Sequence, residues 1–410
     1  MARVIPIVPA ESQAITKSSK RALSPAGTLL ATLPPLSLYI HVPWCVQKCP
    51  YCDFNSHQAP RVVPEDIYLD ALQADLEQAL PSVWGRQVHT VFIGGGTPSL
   101  LSERAMDRLL SMLRAHLNIW PDAEITLEAN PGTAEAQRLK EYGRSGINRI
   151  SLGIQSFDTE QLKALGRIHD ANQARAAIEM AQAAVPRVNL DLMFALPGQT
   201  LDACIRDARE ALAFGTEHLS MYQLTIEPNT VFAKYPPALP EDDLAVEMED
   251  AIEALCRTAG LERYEVSAFA KVGARARHNV NYWQFGDYLG LGPGAHGKLS
   301  FPDKIVREAR VRSPEIWMQA ATLRDGSHIS ESRTLVQSEL PFEFMLNVLR
   351  LREGVPTSLY AERCGKAPEE FTAMLAQAVK RGLLSDSLDR FQATPHGWRF
   401  LNELQALFLL

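Results

Sequence analysis

Long apolar runs are missing from this 410-residue chain; none approaches the roughly 20 residues of a bilayer-spanning helix. Positive charge is not in excess. Lys and Arg total 41 against 48 Asp and Glu, and a net charge of -7 argues against broad attraction to nucleic acid or anionic lipid. Acids are nearly missing from residues 1–34, where Arg3, Lys17, Lys20 and Arg21 face only Glu11. Pro6, Pro9 and Pro25 would interrupt an amphipathic helix, so this stretch reads as a flexible basic extension rather than a transit peptide. Cysteine is scarce, six in all, and no secretory leader stands out, which predicts a reducing, cytoplasmic setting. Cys204, Cys256 and Cys364 fall singly in helical patterns and read as buried or incidental thiols.

The remaining three cysteines cluster as Cys45-Val-Gln-Lys-Cys49-Pro-Tyr-Cys52, just after the strand-like run Leu36 to Val42. Three thiolates at spacings of four and three can hold three irons of a cubane [4Fe-4S] cluster and leave the fourth open to an outside ligand. A closed electron-transfer site would want a fourth cysteine nearby, and none is present. Zinc held with His41 or His57 is an alternative, although a second Cys-x-x-Cys knuckle is missing. A disulfide would leave one of the three unpaired.

From Leu36 onward short apolar runs alternate with amphipathic stretches. Strands are predicted at Ser37 to Val42, His89 to Ile93, Glu124 to Glu128, Arg149 to Ile154, Val188 to Phe194 and His218 to Leu224. Helices are predicted at Glu65 to Leu80, Glu103 to Leu117, Ala134 to Tyr142, Ala171 to Ala183 and Asp202 to Ala213. Six β-α units imply an α/β fold with a parallel sheet, a partial (β/α)6 TIM-like barrel whose ligands sit at the carboxyl ends of the strands. After the first strand comes the cysteine loop. The second is followed by Gly94-Gly95-Gly96-Thr97-Pro98-Ser99, where backbone N–H groups could approach a ligand and a helix N-terminus would favour negative charge. Glu128-Ala-Asn130-Pro131, Gln155-Ser156-Phe157 and Asp191 with Leu196-Pro197-Gly198-Gln199 mark later strand ends; Arg167 could reach a ligand carboxylate. Singly each is more often a cap or surface residue; together they fit an amino-acid-bearing nucleoside.

These motifs, in this order, resemble the radical S-adenosylmethionine (SAM) superfamily, in which methionine's amine and carboxylate chelate the open iron. From Leu36 to the C-terminus the chain is similar to the oxygen-independent coproporphyrinogen III oxidase group. The resemblance implies that Cys45, Cys49 and Cys52 hold the [4Fe-4S] cluster and that Tyr39, Tyr51, Gly95, Gly96, Thr97, Glu128, Gln155, Arg167 and Asp191 contact SAM. True dehydrogenases of the group carry a further cysteine two positions after the third; here that position is Phe54. His278-Asn279-Val280-Asn281-Tyr282-Trp283 is similar to the haem-binding motif of the group's haem chaperone subgroup, HemW. A neutral imidazole is a good axial ligand for haem iron, with Tyr282 and Trp283 as flat apolar surface, whereas without the resemblance a buried core histidine is the plainer reading. His296, in a glycine-rich stretch, is a second haem candidate.

The last hundred residues read as helices at Glu339 to Leu351, Thr357 to Arg363 and Pro368 to Arg381, then a hairpin-like segment and a final apolar helix. This winged-helix-like order would normally raise DNA binding, but the segment lacks the basic footprint of a duplex reader. The expected organisation is an extension at 1–34, a barrel at 35–299 and a mainly helical domain at 300–410. Two functions follow from the resemblance. One is a haem chaperone that passes haem to acceptor haem proteins, including respiratory ones, with a flavodoxin or ferredoxin as electron donor and a cluster-dependent homodimer. The other is a coproporphyrinogen III dehydrogenase working by radical decarboxylation.

Overall fold

In a computed structural model, residues 30–409 are described, with the side chains of 133–137 left aside. Most of the expected N-terminal extension lies outside the described residues. The chain builds β1 (Leu36–Val42), α1 (Glu65–Val83), β2 (Gln87–Gly95), α2 (Glu103–His116), β3 (Asn118–Ala129), α3 (Thr133–Ser145), β4 (Arg149–Gln155), α4 (Thr159–Ala164) and α5 (Ala171–Ala184). It continues through β5 (Arg187–Phe194), α6 (Leu201–Ala213), β6 (His218–Gln223) and α7 (Asp242–Thr258). β1 to β6 pair in parallel in sequence order, each followed by helix, so the six β-α units are real.

The sheet runs further than the repeat. β7 (Glu262–Arg263) and β8 (Ala268–Ala270) add antiparallel strands beyond β6. Past α8 (Arg277–Trp283), β9 (Asp287–Leu291) returns to pair in parallel with the other side of β1. β10 (His296–Ser300), β11 (Ile305–Arg310) and, past α9 (Pro314–Leu323), β12 (Ile329–Thr334) then continue antiparallel. The twelve strands lie in the order β12-β11-β10-β9-β1-β2-β3-β4-β5-β6-β8-β7, an open, barrel-like sheet. β11 and β12 carry it beyond residue 300, where the expected division between domains fell.

Alternation along each strand gives the sheet two unlike faces. On β4, Ile150, Leu152 and Ile154 are fully buried against the helical layer, in one large core with Leu109, Leu110 and Leu113 of α2 and Ile178 of α5. Each such side chain contributes roughly 1.5–3 kcal/mol through burial. Arg149, Ser151, Gly153 and Gln155 take the other face and line an interior cavity. The helices start where local chemistry directs: Ser102 accepts from the N–H of Ala105, and Asp170 with Gln173 forms a capping box on α5. Asp75, buried on α1, receives Arg310 Nε at 3.0 Å, Trp317 Nε1 at 3.3 Å and Gly292 N–H at 3.2 Å, which ties α1 to β11 and α9.

A second apolar core gathers Leu340, Phe344, Met345, Tyr360, Phe371, Leu383, Phe391, Leu404 and Phe408, with Tyr264 and Phe285 from the preceding segment. It is mainly helical, with a two-stranded pairing of Val355–Pro356 and Arg390–Phe391. Across its border Arg350 stacks 4.1 Å from the centre of the Trp283 ring. No helix among the described residues is long and apolar enough to cross a membrane.

Candidate functional site

The inner face of the sheet encloses a cavity of about 420 Å³, within the range of small-molecule sites. Its upper end is the cysteine loop at the carboxyl end of β1. A short ladder closes that loop: His57 N–H donates to Pro43 O at 2.7 Å and Ala59 N–H to Cys45 O at 2.8 Å. Asn55 Nδ2 pins it to the distant backbone through Pro293 O at 3.0 Å and Arg312 O at 2.9 Å. Cys45, Cys49 and Cys52 are free, half-buried and on the cavity wall. Burial pushes the Cys45 and Cys52 thiols up, so a thiolate there wants a positive partner.

The geometry speaks against the zinc alternative. Both ring nitrogens of His41 are engaged, Nδ1 with the Tyr39 hydroxyl at 2.8 Å and Nε2 with Asn55 O at 2.9 Å, and burial pulls its pKa down to about 4. His57 Nε2 meets Asn55 Oδ1 at 3.3 Å. No group of three or more His, Cys, Asp or Glu side chains among the described residues surrounds one point as a single ion requires. A cubane takes each thiolate at a different iron, so three separated thiols around one loop fit it.

The glycine run serves a different purpose from the one expected. Gly95 N–H donates to Glu128 Oε2 at 3.0 Å, Gly96 N–H to Val42 O at 2.7 Å and Thr97 N–H to Trp44 O at 2.7 Å, so these amides are committed inside the protein. Glycine is needed for close packing: a Cβ at Gly96 would lie 2.5 Å from Trp44 O, and Gly95 adopts φ +113° against the His41 ring. The N-terminus of α2 is likewise taken. The Glu65 carboxylate accepts Ser102 N–H at 2.5 Å and its hydroxyl at 2.6 Å, so no ligand anion is needed there.

From Thr97 a polar chain leads back to the cysteines. Asn130 Nδ2 donates to Thr97 Oγ1 at 2.9 Å; Arg167 Nη2 donates to Asn130 Oδ1 at 2.6 Å and Gly153 O at 2.9 Å, and its Nη1 to Cys49 Sγ at 3.5 Å. Gln155 ends β4 with φ +67°, a left-handed conformation that turns it into the cavity beside a register shift. Glu128 has its pKa pushed up to about 8 by burial and then by Asp191. Asp191 is also raised by burial, against hydrogen bonds from Ser151 Oγ at 2.6 Å and Asn189 Nδ2 at 2.8 Å.

The floor of the cavity lies at the amino ends of the strands. There α8 presents His278, whose Nδ1 lies 2.8 Å from Glu124 Oε1, while the N–H groups of Arg277 and His278 donate to the same carboxylate. Arg187 Nη1 completes the cluster at 2.7 Å from Glu124 Oε2. Burial would raise Glu124, but the hydrogen bond from His278 and the charges of Arg149 and Arg187 hold it far below the usual carboxylate range. His278 is lowered, chiefly by burial, so its neutral form is favoured.

The cavity wall therefore includes Cys45, Cys49, Cys52, Tyr51, Gly95, Gly96, Thr97, Glu128, Gln155, Arg167, Asp191 and His278. Tyr39 stands behind it, stacked on Phe92 with ring centres 6.0 Å apart. Tyr282 lies edge-on to the His278 ring, with centres 6.1 Å apart, and to Tyr288, while Trp283 turns to Arg350, so neither lines the cavity as the flat surface that the motif led us to expect. His296 is exposed at the start of β10, off the cavity. Asn281 ties β1 to the start of β9 through Ser37 Oγ at 2.8 Å and Asp287 O at 2.9 Å. Arg149, Ser151, Asn189, His218, Ser220 and Tyr222 also line the cavity and escaped the sequence reading. Their signal was the polar-apolar alternation within the strands themselves.

Comparison with known proteins agrees with this architecture. Residues 39–211 match the model of the radical SAM superfamily, and residues 335–400 match that of the HemN C-terminal domain. The chain is 48% identical over 382 residues to the heme chaperone HemW of Escherichia coli strain K12, covering 93% of this chain and 100% of that protein. It is 41% identical over 330 residues to the mouse mitochondrial radical S-adenosyl methionine domain-containing protein 1, covering 78% of this chain and 74% of that one. In fold it matches the coproporphyrinogen III oxidase HemN of Escherichia coli with a TM-score of 0.79 at 22% identity, over 93% of this chain and 91% of that one. The chain thus belongs to the radical SAM superfamily and, within it, to the family of the proteins named heme chaperone HemW.

Proposed function

We propose that this chain is a haem chaperone that binds haem through His278 and hands it to acceptor haem proteins. Cys45, Cys49 and Cys52 hold a [4Fe-4S] cluster with SAM at its open iron. One observation carries the reading: a single cavity has three free thiols at one end and, at the other, an imidazole with Nδ1 held by a buried carboxylate. That contact fixes the proton on Nδ1 and leaves the Nε2 lone pair for a metal, the arrangement that orients ligating histidines. No described residue hydrogen-bonds Nε2.

When bound, the cluster supplies an iron corner for methionine's amine and carboxylate and an electron for reductive chemistry. The chain's own groups then orient the nucleoside. Arg167 faces the methionyl carboxylate, Glu128 the N–H groups of the amine, and Asp191 the ribose hydroxyls. Tyr51, Gln155 and the tight Gly95–Thr97 turn shape the walls, with Tyr39 supporting them from behind. The same reading includes a flavodoxin- or ferredoxin-like electron donor, a cluster-dependent homodimer and a cytoplasmic setting.

The test is an anaerobic haem titration of the reconstituted protein followed by Soret absorbance, comparing the native chain with His278→Ala. Saturation near one haem per chain, lost or spectrally altered in the variant, is expected. Absence of specific haem binding by the native protein, with conversion of coproporphyrinogen III to protoporphyrinogen IX under reducing conditions, would replace this reading by the decarboxylase one. The complete set of cofactor-facing residues keeps that second reading chemically open, while Phe54 stands where the dehydrogenases of the group have a further cysteine.

A further inference from the structure

Arg149 opens β4 on the inner face of the sheet, only 2% exposed, and its side chain lines the cavity floor near His278 and Asn279. Its guanidinium makes no hydrogen bond and no ion pair with any described residue. The neighbouring groups are engaged with one another. Glu124 is shared by Arg187 and His278; His218 contacts Asn189 Oδ1 at 2.5 Å through Nδ1 and the Tyr264 hydroxyl at 3.0 Å through Nε2; Asp191 accepts from Ser151 and Asn189. Arg187 also reaches out to Glu217 at 3.0 Å. Glu124, beneath Arg149 and Arg187, is bonded to Arg187 and His278, and Asp191 to Ser151 and Asn189, so neither carboxylate fills the donors of Arg149. Arg149 stands close enough to Glu124 and Asp191 to lower both carboxyls, yet neither bonds to it. A guanidinium taken out of bulk water with its five donors unfilled is costly, and a carboxylate matches its fork geometry.

Arg167, the other arginine of the cavity, sits at the cysteine end and already has three partners. The strand between the two ends, Arg149 to Gln155, covers about 20 Å at strand rise. A carboxylate held beside the cluster is thus out of reach of the floor.

We propose that Arg149 is the docking point for a carboxylate of the ligand that enters this cavity, and, resting on the haem reading above, that this carboxylate is a haem propionate. His278 and Arg149 then read two parts of one ligand, the metal and an acid side chain.

The experiment titrates native protein, Arg149→Gln and Arg149→Lys with haem and with haem dimethyl ester, whose propionates carry no charge, and titrates the reconstituted proteins with SAM. The native chain should prefer haem to the ester by at least about tenfold. Arg149→Gln should lose that preference, Arg149→Lys should keep part of it, and SAM affinity should stay within twofold in both. Equal binding of haem and ester by the native chain, which needs no variant to fold, overturns the proposal and leaves the haem reading standing. Retained preference in Arg149→Gln overturns it also, as does a drop in SAM affinity instead, which would assign the floor to the methionyl carboxylate. Binding of neither porphyrin by the native chain overturns the haem reading itself and the propionate assignment with it.

Discussion

At Glu128 burial and the nearby Asp191 raise the carboxyl pKa from its ordinary 4.5 to about 8. The folded state therefore holds a proton that the unfolded chain gives up, and stability falls as pH rises through that interval. Glu128→Gln should flatten this loss, read as melting temperature against pH between about 5 and 8. The N–H groups of the iron-bound amine beside Glu128 would favour its ionised form, so SAM binding near neutral pH should release a proton from Glu128 in addition to the one the amino group loses on coordination. Calorimetry in buffers of different ionisation enthalpy would detect the release, and Glu128→Gln should reduce it; release of equal size in the variant would place the amine elsewhere. Glu124 is the opposite case. Its pKa lies below the ordinary value, so its contribution is present above about pH 4.5 and is lost as pH falls further. Glu124→Ala would leave Arg187 and His278 buried without their carboxylate and should cost about 3–5 kcal/mol, measured by denaturant unfolding.

At the scale of elements, packing governs the glycine turn after β2. Gly96→Ala sets a Cβ against Trp44 O, a backbone atom with no freedom to yield, and should destabilise by about 1–3 kcal/mol. Because that turn also anchors the segment leading into the cysteine loop, the variant should retain less iron after desalting. Retention equal to native, assayed as iron per chain, would separate the turn from the cluster site. Each of the six repeat strands was legible from its apolar run, and five begin within two residues of the expected start. β3 starts at Asn118 instead of Glu124 because Asn118, Pro121 and Asp122 interrupt the apolar signal while the backbone still pairs with β2. β9 to β12 went unread for a different reason. β12 is Ile-Ser-Glu-Ser-Arg-Thr, an exposed edge strand with no buried face, and β9 finds β1 some 250 residues away in sequence, a pairing that no local pattern encodes. The cavity residues were half-legible: strand-end polar groups stood out, whereas Arg149 and His218 registered only as the first residues of apolar strands.

The whole molecule places the three-cysteine loop and the haem-motif histidine at opposite ends of one cavity, closed at its floor by α8 and backed there by the C-terminal core. Haem on His278 and SAM at the cysteine loop would both draw on this one cavity, so the account predicts that they exclude one another. The most direct measurement is a haem titration of the cluster-reconstituted protein at several fixed SAM concentrations. The apparent haem dissociation constant should rise in proportion to SAM, and this dependence should vanish when Cys45, Cys49 and Cys52 are all replaced by Ala. A haem affinity indifferent to saturating SAM, in protein shown to bind both, would mean that haem sits outside this cavity and that His278 is not its ligand.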